Sequence, residues 1–173
     1  MEKILISACL LGAPVRYNRK DARVESNLLA LWQQEGRVLS FCPEQQGGLS
    51  TPRPAAEIVG GDGRNVLERK AKVLDQDQTD YTDAFLKGAY AALRICQRYE
   101  VKMAILKAES PSCGNQHIYD GSFTGHKKAG MGVTAALLEQ YQIRVFNETE
   151  LLAASKWLKS LGTETILRHG NSE

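Results

Sequence analysis

Apolar positions along the chain fall into short runs separated by longer amphipathic or polar stretches. Lys3–Ala8 (KILISA), Arg37–Phe41 (RVLSF), Lys102–Lys107 (KMAILK) and Gln142–Phe146 (QIRVF) each hold such a run and predict strands. The stretch Asp80–Arg98 has a different period. Phe85, Ala89, Ala92, Leu93 and Cys96 recur at three- and four-residue spacing, which puts them on one face of a helix. Ser26 predicts an N-cap for a helix over Asn27–Gln34, with Gly36 as its stop. Further helices are predicted over Gly132–Gln140 and Thr149–Leu161. Cys9–Tyr17, Cys42–Pro54 and Ala108–Gly130 are rich in Gly and Pro and predict irregular loops, and Gly60, Gly61 and Gly63 mark a turn.

Strands alternating with helices predict an α/β fold: a single layered domain over residues 1–161, with a mostly parallel central sheet of about four strands flanked by helices. Residues 162–173 form a polar C-terminal tail in this reading, expected to fray. The strand order is not written in the pattern.

Composition narrows the class. A chain of 173 residues suits one domain with a real core. A hydrophobic fraction of 43% and a charged fraction of 24% argue against disorder. No apolar run approaches the ~20 residues of a membrane-spanning helix. A net charge of +2 gives no argument for a nucleic-acid partner, although a local patch could still act. Ile4–Gly12 (ILISACLLG) imitates the core of a secretory signal, but such signals run ~15–30 residues and here Lys3 is the sole basic flank. A cytoplasmic location is expected, where thiols stay reduced. The four cysteines then read as metal ligands, reactive thiols or core residues rather than disulfides.

Cys9, Cys42 and Cys113 each follow a predicted strand, at its carboxyl end or after a short loop. In open parallel sheets that edge is where ligands bind, so residues distant in sequence can converge there. Each also lies beside residues that tighten a loop: Gly12, Pro43, and Pro111 with Gly114. No CxxC pair is present, and spacing alone leaves a metal site and ordinary loop thiols both open. Cys96 lies on the apolar face of the Asp80–Arg98 helix and reads as a small core residue.

Several segments together resemble the 2-thiouracil desulfurase family. They are SACLLG (Ser7–Gly12) with Arg16-Tyr17, CPEQQGGLSTPR (Cys42–Arg53) with Ala56-Glu57-Ile58, ILKAESPSCG (Ile105–Gly114), YDGSF (Tyr119–Phe123) and GMGVTA (Gly130–Ala135). The resemblance implies a [4Fe–4S] cluster on three cysteines, mapping to Cys9, Cys42 and Cys113, with one iron left open. It implies removal of sulfur from a small-molecule thiopyrimidine, giving uracil and hydrogen sulfide, and reliance on iron–sulfur assembly machinery. It also implies an acid/base carboxylate, mapped to Glu44, and a nearby serine, Ser110 first and Ser112 second. Some relatives carry an extra C-terminal domain and act on thiolated tRNA; such a domain is not expected here, and thiolated nucleosides or tRNA stay open as alternative substrates.

The implied chemistry is coherent. A thiocarbonyl sulfur is soft and suits a thiolate-ligated iron. An open iron acts as a Lewis acid on the C=S group, and a carboxylate two residues from a ligand can activate water as general base. Glu109 is a weaker carboxylate candidate, and Arg16, Tyr17 and Arg53 are candidates to contact the pyrimidine or the cluster. Two readings compete. One is a zinc-stabilised nucleotide- or RNA-binding module, with His117 as a fourth ligand and His126 as another loop histidine. The other is a redox-sensing or sulfur-carrying protein with Cys113 or Cys42 as a reactive thiol.

Overall fold

The computed structural model describes the backbone of residues 1–169 and side chains through residue 162. Four strands form a parallel sheet: β1 (Ile4–Ser7), β2 (Val38–Phe41), β5 (Met103–Leu106) and β8 (Arg144–Asn147), in the order β2-β1-β5-β8. Each was predicted to within two residues at either end. The two central strands, β1 and β5, are buried along their whole length, whereas the edge strands β2 and β8 carry partly exposed positions. A strand covered on both faces needs an unbroken apolar run, which is why KILISA and KMAILK stood out.

Side chains alternate between the two faces. Leu5, Ala104 and Leu106 point into a core with α4 (Thr82–Arg98) and α5 (Val133–Gln140). Ile4, Ile6, Met103 and Ile105 point into a second core with α1 (Asn27–Gln34) and α6 (Leu151–His169). The predicted stripe on α4 is buried throughout, Cys96 included. Asp80 lies just before that helix and accepts from the Thr82 amide. Ser26 caps α1 as expected, accepting from the Leu28 and Leu29 amides.

Some expectations need correction. Cys42–Pro54 is not all loop, because Pro43–Gln46 closes one helical turn, α2, with Pro43 at its first position. β3 (Ala56–Val59) and β4 (Lys72–Asp75) pair antiparallel outside the main sheet, linked through α3 (Gly63–Leu67). Inside the stretch expected to be irregular, β6 (His117–Tyr119) and β7 (Lys127–Ala129) form a hairpin. These strands are too short and too polar to show a period of two. The last helix continues past Gly162 to His169. No described helix is long and apolar enough to cross a membrane.

The chain runs from β1 to β2 on one side and later returns to β5 on the other. The connection therefore reverses direction across β1. Such a switch point opens a crevice at the carboxyl ends of the strands.

Candidate functional site

Three loops leave the sheet into that crevice. After β1 the chain makes a 3-10 turn over Ala8–Leu11, which carries Cys9. After β2, Cys42 is the residue immediately before α2. After β5, a tight turn carries Cys113, with Ser110 O accepting the Gly114 amide at 2.9 Å. The three loops wall a cavity of about 250 Å³, lined among others by Cys9, Cys42, Cys113, Glu44, Arg53 and Ser110. Its lining also includes the aromatic residues Tyr17, Phe41, Tyr81, Phe85 and Tyr119.

The thiols are mutually aware. Burial, then the neighbouring Cys42, raises the Cys9 pKa from 9.0 to about 11, against the pull of Lys107 and Arg16. Burial also raises Cys42, opposed by the Gln45 amide and Arg53. Cys113 is raised most by burial, and then by Glu44, Cys9 and Cys42. Reactive cysteines need lowered pKa values and access to solvent. All three are raised instead, and Cys9 and Cys113 are also buried, which weakens the reactive-thiol reading. Cys96, raised to about 12 by burial alone, lies in the core and does not line the cavity.

Glu44 faces the cavity and is held by Arg53. Nε of Arg53 donates to Glu44 Oε2 at 3.0 Å, and Nη2 forms a second, shorter contact to the same oxygen. Arg53 is itself fixed by the carbonyls of Val15 and Ser50 at 3.1 and 3.0 Å. Oε1 of Glu44 has no hydrogen-bond partner among the described residues.

The two candidate serines separate. Ser110 lines the cavity, and its Oγ accepts the amides of Ser112 and Cys113, both at 3.1 Å. Its own proton remains available. Ser112 is fully buried, 2.7 Å from Thr134 Oγ1 on α5, and is not part of the lining. Its hydroxyl belongs to packing. Glu109 lines the cavity but pairs with Lys127 at 2.9 Å. Arg16 and Tyr17 also line it, with the guanidinium 5.8 Å from the ring centre.

Sequence reasoning gave no role to Ser7, Lys107 or Glu148. The Ser7 hydroxyl stands 3.8 Å from Cys113 Sγ and accepts the Lys107 amide at 3.0 Å. Lys107 Nζ donates to the Ala108 carbonyl and pairs with Glu148 at 2.8 Å. Ser7 ends β1 and Lys107 directly follows β5, and that position was a usable signal.

The donor set fits an iron–sulfur cluster better than a single ion. All four cysteines are free, and three of them meet at one cavity. Burial favours the protonated form of these thiols, and a cation bound there would favour the thiolates instead. Among the described residues, no three His, Cys, Asp or Glu side chains are grouped to hold one metal ion. A polynuclear cluster asks for less crowding, because each thiolate binds a different iron. His117 is exposed on β6 and His126 also lies outside the lining, so neither completes a zinc site.

A sequence profile described as 2-thiouracil desulfurase matches residues 4–150. An uncharacterized protein of Bacillus subtilis (strain 168), YbbK, is 43% identical over 148 residues, covering 86% of this chain and 97% of its own length. Among solved structures, a [4Fe-4S]-dependent thiouracil desulfidase, TudS, superposes with a TM-score of 0.84 at 43% identity. That match covers 92% of this chain and 99% of the other.

Proposed function

The chain belongs to the 2-thiouracil desulfurase family, and from that premise we propose that it hydrolyses the thiocarbonyl of a thiopyrimidine such as 2-thiouracil. The balance is C=S plus water giving C=O plus hydrogen sulfide, with no net electron transfer. Cys9, Cys42 and Cys113 are the residues to hold a [4Fe–4S] cluster. The observation that carries this reading is their convergence, from three different strand ends, on one cavity that also holds Glu44. When bound, such a cluster offers an open, soft Lewis-acidic iron to the thiocarbonyl sulfur.

The chain's own residues do the rest. The aromatic residues of the lining, Tyr17 and Phe85 among them, suit a flat pyrimidine ring. Arg53 fixes one oxygen of Glu44, which leaves Oε1 to take a proton from the attacking water. The Ser110 hydroxyl is set to donate to charge developing on the substrate. Lys107 and Arg16 bring positive charge to a site that gathers thiolates. Four free cysteines suit a reducing compartment such as the cytoplasm, with the cluster delivered by iron–sulfur assembly machinery.

The test is anaerobic reconstitution with iron and sulfide, followed by metal counting and a sulfide-release assay on 2-thiouracil. About four irons per chain and catalytic sulfide release are expected. Glu44→Gln should keep the iron and lose roughly 10²-fold or more in kcat, the scale of a positioned base. Absence of iron uptake would sink the reading, and normal turnover by Glu44→Gln would remove that residue from it.

A further inference from the structure

Ser7 is the last residue of β1 and is 3% exposed. Backbone pairing of β1 with β5 ends at Ile6 and Ile105. The Ser7 side chain carries the contact one step further by accepting the Lys107 amide at 3.0 Å. An amide can only donate, so the hydroxyl oxygen is committed as acceptor there. A hydroxyl has one proton, and the remaining partner among the described residues is Cys113 Sγ at 3.8 Å. Ser7 also lines the cavity, so this contact lies at the site itself.

We propose that Ser7 is a positioning residue for the Cys113 ligand, donating its hydroxyl proton to Sγ and so fixing the sulfur's direction and charge density. The proposal rests on the reading of Cys113 as a cluster ligand. A hydrogen bond to a ligating thiolate draws electron density from the sulfur, favours the more electron-rich reduced state, and raises the reduction potential. It also orients the ligand, as outer partners of metal ligands do. The end of β1 thereby serves two of the three ligands, leading directly into the turn that carries Cys9 and holding Cys113 through Ser7.

A purely structural serine would tie β1 to β5 without touching cluster electronics. The test therefore reads the cluster. Full-length wild type, Ser7→Ala and Ser7→Thr are reconstituted without oxygen, titrated potentiometrically with EPR detection, and challenged with an iron chelator. Ser7→Ala is expected to shift the midpoint potential to more negative values and to hold iron roughly 10–100-fold less well. Ser7→Thr keeps a hydroxyl and should behave as wild type. Loss of the cluster in Ser7→Ala with retention in Ser7→Thr supports the proposal equally. If Ser7→Ala matches wild type in potential and retention, the proposal is overturned. The same holds if both variants fail alike, since the site then requires the size of serine rather than its proton. Wild type that takes up no iron overturns the desulfurase reading itself, a result distinct from an unchanged Ser7→Ala.

Discussion

Replacing Gly88 by alanine sets two opposing effects against each other. Gly88 lies inside α4, where alanine is favoured over glycine by about 1 kcal/mol. On propensity alone the variant should be more stable. However, a Cβ at this position would stand 2.0 Å from the carbonyl oxygen of Pro43 and 2.7 Å from its carbon. Ordinary contact begins near 3.4 Å, so backbone would have to retreat by more than 1 Å. Overpacking of this kind costs about 1–3 kcal/mol, which exceeds the propensity gain. The interface is tight from the other side too, since a Cβ on Gly47 would meet the Ala84 carbonyl at 2.1 Å.

The displaced backbone is Pro43, between Cys42 and Glu44. A net loss near 1 kcal/mol would lower Tm by only about 2–4 °C. Displacing a catalytic segment by 1 Å can cost on the order of 10²-fold in rate. Gly88→Ala should therefore damage activity far more than stability. Thermal unfolding, iron content and sulfide release check this together. Gly162→Ala is the control, since a Cβ there meets nothing within 4 Å. If Gly88→Ala gains about 1 kcal/mol and turns over normally, α2 and α4 do not approach as closely as this reasoning requires.

Two further outcomes follow from the cysteines. Cys9→Ala, Cys42→Ala and Cys113→Ala should each abolish stable iron binding, whereas Cys96→Ala should load fully at a cost of about 1 kcal/mol; iron counts after reconstitution decide between them, and iron loss in Cys96→Ala alone would contradict the assignment. The metal-free chain should also weaken in alkali. The folded Cys9 thiol holds its proton to about pH 11, while its ordinary value is 9.0, so the unfolded chain binds fewer protons between them. That contribution is intact below about pH 9 and is lost as pH rises through about 11. The urea midpoint of metal-free protein should fall across this range, and a flat profile would argue against buried, protonated thiols.

Much of the scaffold was legible because its central strands are covered on both faces. Ile4–Ser7 and Met103–Leu106 require unbroken apolar runs, and no other local structure that short explains them. The stripe on α4 was equally legible, since a 17-residue helix repeats its period several times. The hairpin of β6 and β7 was hidden because three-residue strands rich in Lys and His offer no period. At the site, the strand-end positions of Cys9, Cys42 and Cys113 pointed to one edge of the sheet, and all three line one cavity there. Strand order was not legible, and with it went the contact between Ser7 and Cys113, 106 residues apart. Nor could the sequence separate the two serines that the resemblance offered: Ser110 lines the cavity, while the Ser112 hydroxyl turns to Thr134 on α5.

The same contacts that place Ser112 in the core explain how the Cys113 turn keeps its shape. The first turn of a helix leaves amides without partners. In α5 the Val133 amide donates to Pro111 O at 2.9 Å, and the Thr134 amide to Ser112 O at 2.9 Å. Just before the helix, the Gly132 amide donates to Gly114 O at 2.7 Å. The turn that carries Cys113 thus serves as the cap of α5, and α5 in return fixes the turn. Cys9 is anchored in a similar way, with its carbonyl accepting the amides of Gly12 and Ala22 at 3.2 and 2.9 Å. Cys42 sits at the start of α2, which is wedged against α4 through Gly47 and Gly88. Each thiol is therefore held by main-chain hydrogen bonds or packing of its own loop, and Ser7 and Arg53 cross-link these loops. A site ordered in advance gives up little conformational entropy when its ligand arrives. Small metal domains that fold only around their ion lack this arrangement, and the sheet with its two cores is what supplies it here.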